Sequence, residues 1–131
     1  MTRPLIAVVN DDAAFLELMH ELLTDESYTT VLLHEGSSAY DMIRKQHPDL
    51  VILDLRLEHP EAGWKTLQLL RLDPETTDIP VILCSADMRA LREREDWLKE
   101  RDIKVLEKPF NLDDMLKMVK DVTGSPSGME G

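Results

Sequence analysis

The strongest constraint on the fold is a set of short apolar runs in which polar and apolar residues do not alternate. Residues 5–9 and 50–53 are the clearest examples. A strand without alternation is buried on both faces, as in a parallel sheet that carries helices on either side. Between the runs lie amphipathic stretches; in the first of these, Phe15, Met19 and Leu23 recur at helical spacing. The chain therefore alternates buried strands with surface helices.

This alternation predicts an α/β protein with a doubly wound parallel sheet of five strands and five helices. We expect strands at residues 5–9, 28–33, 50–53, 79–84 and 103–106, and helices at residues 12–25, 37–46, 63–72, 87–100 and 111–122. His47-Pro48 ends the second helix, and Asn111 is a candidate N-cap of the last one. We expect one domain at residues 1–123 and a flexible tail at residues 124–131, where Gly and Ser are frequent.

Charge and composition narrow the function classes. The chain has 131 residues and a formal net charge of −11, so the DNA backbone would repel its surface and direct nucleic-acid binding is not expected. The first apolar run is too short for a signal peptide or a membrane span, which favours a cytoplasmic protein without membrane contact. Cys84 is the single cysteine, so an internal disulfide cannot form, and its apolar neighbours indicate a core thiol.

Polar residues follow four of the predicted strands at the point where each strand ends. They are Asn10, Asp11, Asp12, Asp54, Ser85 and Lys108. The carboxyl ends of parallel strands meet at one edge of the sheet, where α/β proteins of this kind bind their ligands. The sequence therefore predicts that a carboxylate cluster, a hydroxyl and an ammonium group converge on one edge.

That set of groups suits phosphoryl transfer to a carboxylate. Asp54 can attack phosphorus and form an acyl phosphate, but the phosphoryl donor carries negative charge. Mg²⁺ would offset the repulsion, and it prefers one or two carboxylates, here Asp11 and Asp54, together with retained waters. Asn10 or Asp12 would hold a coordinated water. A hydroxyl and an ammonium group would then bind the phosphoryl oxygens.

Four segments together resemble the receiver domain of two-component response regulators. The segments are residues 8–12, 48–54, 81–86 and 107–110, and the resemblance covers about residues 4–122. It implies a flavodoxin-like, CheY-like sheet in the order 2-1-3-4-5. It also implies that Asp54 accepts phosphoryl from a histidine kinase or a phosphotransfer protein and thereby switches an output surface that a downstream effector reads.

The resemblance also implies roles for individual residues. Mg²⁺ would be bound by Asp11, Asp54 and the backbone carbonyl of Arg56. Ser85 would be the switch hydroxyl and Lys108 the lysine that contacts the phosphoryl group. The Lys108-Pro109 peptide would be cis.

The chain departs from the family pattern in ways that matter for function. Asn10 stands where an acid is usual, which predicts weaker Mg²⁺ binding. Val105 stands where an aromatic residue is usual, and a valine cannot make the same ring movement. Either Ser85 and the fourth helix alone carry the conformational change, or the output surface differs from that of the family. Arg56 and Asp87 are placed to reach water that attacks the acyl phosphate, and they are candidate modulators of its lifetime.

Other functions remain open at this point. A pseudo-receiver that takes no phosphoryl group and acts by protein binding is the main alternative, kept open by Asn10 and Val105. A haloacid dehalogenase-like phosphatase needs a second acid two residues after its nucleophile, and Arg56 stands there instead. A nucleotide-binding domain would need a glycine-rich loop after the first strand, and the sequence has none there. The sequence leaves open whether two copies pair as a homodimer.

Overall fold

The fold is a five-stranded parallel sheet with strands in the order β2-β1-β3-β4-β5. A computed structural model describes residues 3–55, 61–101 and 103–124. The strands are β1 (Leu5–Val9), β2 (Thr29–Leu33), β3 (Leu50–Asp54), β4 (Val81–Ser85) and β5 (Lys104–Glu107). The helices are α1 (Ala13–Asp25), α2 (Gly36–Gln46), α3 (Ala62–Leu72), α4 (Met88–Glu93), α5 (Glu95–Glu100) and α6 (Leu112–Thr123). The predicted sheet order is confirmed.

Helices cover both faces of the sheet, and each face has its own hydrophobic cluster. All five residues of β3 and all five of β4 are buried, which explains why these strands lack polar alternation. One cluster packs α2, α3, α4 and α5 against the sheet, and the other packs α1 and α6. Leu67 and Leu70 point into the first cluster, and Met19 and Met115 into the second.

Local chemistry sets several helix ends as the sequence predicts. The Asn111 side chain accepts a hydrogen bond from Asp114 N at 2.8 Å, which caps α6. His47 follows α2 in the left-handed region, at φ 50°, directly before Pro48. A left-handed residue ends a helix and proline cannot continue it, so α2 stops where predicted.

The prediction of five helices is wrong, because the structure has six within the described residues. The predicted helix at residues 87–100 is divided at Arg94 into α4 and α5. Arg94 has φ −117° and ψ 17°, which is outside helical geometry. The start of β4 also differs: Pro80 has no N–H to donate, and Ile79 N donates to Thr76 O in the preceding turn, so the strand begins at Val81.

A polar network ties α2 to the end of α3. The Tyr40 hydroxyl donates to Asp73 Oδ2 at 2.6 Å, and Arg44 Nε lies 2.8 Å from the same oxygen. The Tyr40 hydrogen bond, followed by the Glu75 backbone N–H, lowers the pKa of the Asp73 carboxyl. The network thus stabilises the ionised form of Asp73.

In the described part of the chain, no helix has the length and apolar character needed to cross a membrane. Most of the predicted tail falls on residues 125–131, which lie outside the described residues.

Candidate functional site

Asp54 occupies the centre of the carboxyl edge of the sheet. It is the last residue of β3, which lies between β1 and β4, and it is only 6% exposed. Asn10 directly follows β1 and is 5% exposed. Ser85 ends β4 and Lys108 follows β5. The topology therefore brings these polar groups, distant in sequence, to one edge of the sheet.

Two donors reach the same oxygen of Asp54. Lys108 Nζ donates to Asp54 Oδ2 at 2.7 Å, and Asn10 Nδ2 donates to it at 3.0 Å. Lys108 N also donates to Ser85 O at 2.8 Å, which holds the loop after β5 against the end of β4. The Lys108-Pro109 peptide is cis, as predicted. A positive charge and an amide dipole thus fix the Asp54 carboxylate in one orientation.

Asn10 links Asp54 to the start of α1. Its Oδ1 accepts from Asp12 N at 2.8 Å while its amide group donates to Asp54. Asp12 Oδ1 in turn accepts from Ala14 N at 3.0 Å and caps α1. Capping is therefore the role that the structure gives to Asp12, and water-mediated metal contacts of Asp12 and Asn10 remain predictions.

The donor set at this edge fits Mg²⁺ chemically. Among the described residues, no group of three or more His, Cys, Asp or Glu side chains gathers as a metal site. Mg²⁺ needs only one or two carboxylates beside its waters and a phosphoryl oxygen. Asp54 provides one, and Asp11, exposed directly after Asn10, is the second candidate. The predicted third ligand, the carbonyl of Arg56, lies outside the described residues.

Ser85 and Asp87 are joined at the start of α4. Ser85 is 1% exposed, and its Oγ accepts from Asp87 N at 2.9 Å. Asp87 Oδ1 accepts from Ala90 N at 3.0 Å, so Asp87 caps α4. Arg56, the other candidate modulator of the acyl-phosphate lifetime, lies outside the described residues. The Ser85 hydroxyl is thus connected to the start of α4 through a hydrogen bond from the backbone N–H of Asp87.

Val105 lies in β5 beside Leu83 and is half-buried. It lines a cavity of about 410 Å³ between β5 and the α4–α5 segment, together with Leu91 and Leu98. A valine is too small to fill this space, whereas an aromatic ring would occupy part of it. The aromatic switch that the family resemblance implies has no equivalent at this position.

Cys84 is the β4 neighbour of Asp54 in the sheet register and is buried. Burial, and secondarily the charge of Asp54, raises the pKa of the Cys84 thiol to about 12. A thiol with this pKa stays protonated at neutral pH, so it packs as a core residue, as predicted.

Two features of the site were missed by sequence reasoning. A Cβ at Gly63 would lie 1.9 Å from Leu55 O, so only glycine fits where α3 passes the chain after Asp54. The Arg94 guanidinium stacks over the Trp64 ring with Cζ 4.4 Å from the ring centroid. A glycine at the start of a predicted helix could have indicated the close approach at Gly63. Nothing in the sequence indicates that Arg94 contacts Trp64.

The family model of the response regulator receiver domain matches residues 6–120. The chain belongs to this family. Receiver domains are signalling domains of two-component systems, and the four sequence segments that suggested the resemblance all lie within the matched region.

Individual relatives support the same assignment of this receiver domain. The polar-differentiation response regulator DivK of Brucella ovis is 27% identical over 121 residues, which cover 91% of this chain and 95% of DivK. The non-phosphorylated HemR receiver domain of Leptospira biflexa has a TM-score of 0.81 and 26% identity, and covers 98% of this chain and 100% of its own.

A third neighbour shares the fold at lower identity. The receiver domain of the sensor histidine kinase PA1611 from Pseudomonas aeruginosa PAO1 has a TM-score of 0.77 and 21% identity over 95% of this chain and 100% of its own. That structure contains a magnesium ion coordinated in the active-site cleft. At this identity the similarity establishes the CheY-like fold alone.

Proposed function

We propose that this receiver domain is a phosphoacceptor of a two-component phosphorelay. Asp54 accepts a phosphoryl group from a histidine kinase or phosphotransfer protein with the help of Mg²⁺, and the modified site changes the surface that an effector reads. The observation that carries the proposal is the buried Asp54 carboxylate held at one oxygen by Lys108 and Asn10, at 2.7 and 3.0 Å.

The chain's own groups can perform the transfer. An Asp54 carboxylate oxygen attacks phosphorus, a P–O bond forms, and the bond from phosphorus to the donor atom breaks, with its electron pair leaving on the donor. The Lys108 ammonium group, which donates to the carboxylate before transfer, can donate to the phosphoryl oxygens after it. Mg²⁺, when bound, neutralises charge that builds on those oxygens. The chain thus supplies a nucleophile, its orientation and a counter-charge.

Ser85 supplies the response to the modified site. Its hydroxyl accepts from Asp87 N and lies at the end of the strand that neighbours β3. A phosphoryl group on Asp54 offers new acceptor oxygens, toward which the Ser85 hydroxyl can turn and donate. Turning withdraws its oxygen from Asp87 N and so loosens the start of α4. Arg56 and Asp87 remain our candidates for residues that set the lifetime of the acyl phosphate.

Intact-protein mass spectrometry tests the proposal. The protein is incubated with Mg²⁺ and acetyl phosphate, and we expect a mass gain of one phosphoryl group. The gain should vanish in Asp54→Asn and persist in Asp41→Asn, which alters an exposed aspartate of α2. Absence of the gain, together with absence of BeF₃⁻ binding, would refute phosphoacceptance.

The second candidate is a pseudo-receiver, favoured by Asn10 and Val105 standing where the family usually has an acid and an aromatic residue. It predicts neither a mass gain nor BeF₃⁻ binding, while the fold and any partner binding remain. Repeated hydrolysis of phosphate esters by each chain would instead indicate a phosphatase. Cytoplasmic location, the boundary at residue 123 and pairing of two copies stay predictions.

A further inference from the structure

The segment from α4 to α5 is interrupted at Arg94. Arg94 is both the C-cap of α4 and the N-cap of α5. Its N–H donates to Leu91 O, and its carbonyl oxygen accepts from Leu98 N. A non-helical residue between two six-residue helices is a place where their relative orientation can change at low cost. Arg94 therefore occupies a candidate hinge of the segment that follows Asp87.

The side chain of Arg94 reaches away from this segment to α3. Its Cζ lies 4.4 Å from the centroid of the Trp64 ring, and Trp64 is 5% exposed. Both residues line two cavities, of about 430 and 300 Å³. This space beside the stack leaves room for the hinge to move relative to α3.

Trp64 is connected to the phosphorylation site through its neighbour. Gly63 passes so close to Leu55 that a Cβ would lie 1.9 Å from Leu55 O. Leu55 directly follows Asp54, and its N–H donates to Cys84 O at 3.0 Å. A displacement of the chain at Asp54 and Leu55 therefore pushes directly on the backbone that carries Trp64.

The other end of the segment is connected to the same site. Ser85 Oγ accepts from Asp87 N, and Asp87 caps α4. The α4–α5 segment is thus held at its start through Ser85 and at its hinge through Arg94. Both points of attachment lead to Asp54, one by way of β4 and one by way of β3 and α3.

We propose that Arg94 is the positioning residue that couples Asp54 to the α4–α5 surface, and that phosphorylation rearranges its stack on Trp64. This inference rests on the proposed function, since it describes how the modified site is read. Because Val105 replaces the usual aromatic residue, β5 has no aromatic ring that could move on phosphorylation. In this proposal the aromatic ring that responds is Trp64, in α3.

The molecule offers a matched control. Arg101 stacks over Trp97 at 4.3 Å, nearly the same distance as the Arg94–Trp64 stack. Trp97 lies in α5 and Arg101 is its C-cap, so this second stack is local to one helix. The two pairs share their chemistry and differ in whether they join separate elements.

Tryptophan fluorescence reports each stack separately. Trp97→Phe leaves Trp64 as the only tryptophan, and Trp64→Phe leaves only Trp97. We expect BeF₃⁻ with Mg²⁺ to change the emission of Trp64 and to leave that of Trp97 nearly constant. Arg94→Ala, in the Trp97→Phe background, should abolish the Trp64 response, Arg94→Lys should keep part of it, and Arg101→Ala should leave it intact.

Mass spectrometry on the same variants separates the two proposals. Arg94→Ala should still gain one phosphoryl group from acetyl phosphate, because Arg94 touches none of the reacting groups. If the protein is phosphorylated and Trp64 emission stays constant, or changes equally with and without Arg94, the coupling role is refuted while phosphoacceptance stands. If no variant is phosphorylated and none binds BeF₃⁻, both proposals fail. A circular-dichroism melt of each variant confirms that the proteins compared are folded.

Discussion

Replacement of Gly63 by alanine should destabilise the domain, although helix propensity alone predicts the opposite. Alanine is about 1 kcal/mol better than glycine inside a helix, and Gly63 is the second residue of α3. The structure places Leu55 O, C and Cα at 1.9, 2.4 and 2.6 Å from the position of the added Cβ. Steric overlap and intrinsic propensity therefore act in opposite directions at this residue.

The steric overlap decides whether Gly63→Ala stabilises or destabilises the domain. Ordinary contact begins near 3.4 Å, so α3 and Leu55 must separate by about 3.4 − 1.9 = 1.5 Å. The obstructing atoms are backbone, and Leu55 is buried and hydrogen-bonded to Cys84 O, so no flexible side chain can turn away. Overpacking costs about 1–3 kcal/mol, and a clash with rigid backbone atoms belongs at the upper end of that range, so it outweighs the gain of about 1 kcal/mol in propensity. The net loss of about 2 kcal/mol should lower the melting temperature by about 7 °C.

Chemical and thermal unfolding followed by circular dichroism measure the effect. Lys65→Ala is the control, because Lys65 is exposed in the same helix and its replacement should change stability by less than about 0.5 kcal/mol. Phosphorylation of Gly63→Ala by acetyl phosphate should also slow, since the shift falls beside Asp54. A variant as stable as the wild type or more stable would show that the close approach to Leu55 is not a constraint.

Three further predictions concern charge. Asn10→Asp replaces a hydrogen-bond donor to Asp54 by a negative charge. We expect the free energy of unfolding in EDTA to fall by about 1–3 kcal/mol and to recover when Mg²⁺ is added. If Mg²⁺ stabilises the variant and the wild type equally at matched ionic strength, the prediction is wrong. The pKa of Asp73 is lower in the folded protein than its unfolded value of 3.8. The ionised carboxylate therefore stabilises the fold fully at pH values well above 3.8, and this stabilisation is lost as the pH falls through 3.8 and below. The stability difference between wild type and Asp73→Asn should accordingly be constant from pH 7 to about 5 and shrink in acid, and a difference that grows in acid would oppose the assignment. Cys84, with its pKa raised to about 12, should resist iodoacetamide in the native protein and react on unfolding, as followed by mass; rapid native labelling would show that the thiol is accessible.

Sequence reasoning succeeded where the signal is local. The buried strands, most helix ends and the sheet order followed from apolar periodicity, from Asn111 and Pro48, and from the family resemblance. Asn10, Asp54, Ser85 and Lys108 were found as a set because each stands at the end of a strand or directly after it, and the carboxyl ends of parallel strands share one edge. Burial on one or both faces imposes a period on the sequence, and that period can be read without coordinates.

Only the tertiary structure decided how these residues contact each other. The direct hydrogen bond from Asn10 to Asp54 spans 44 positions, and the Arg94 stack on Trp64 closes the gap between α3 and a helix that the sequence suggested was continuous. The division at Arg94 and the fit of Gly63 against Leu55 leave no periodic trace, because they arise from the packing of elements already formed. The sequence thus determined which groups meet at the edge of the sheet, while packing decided which atom each one reaches.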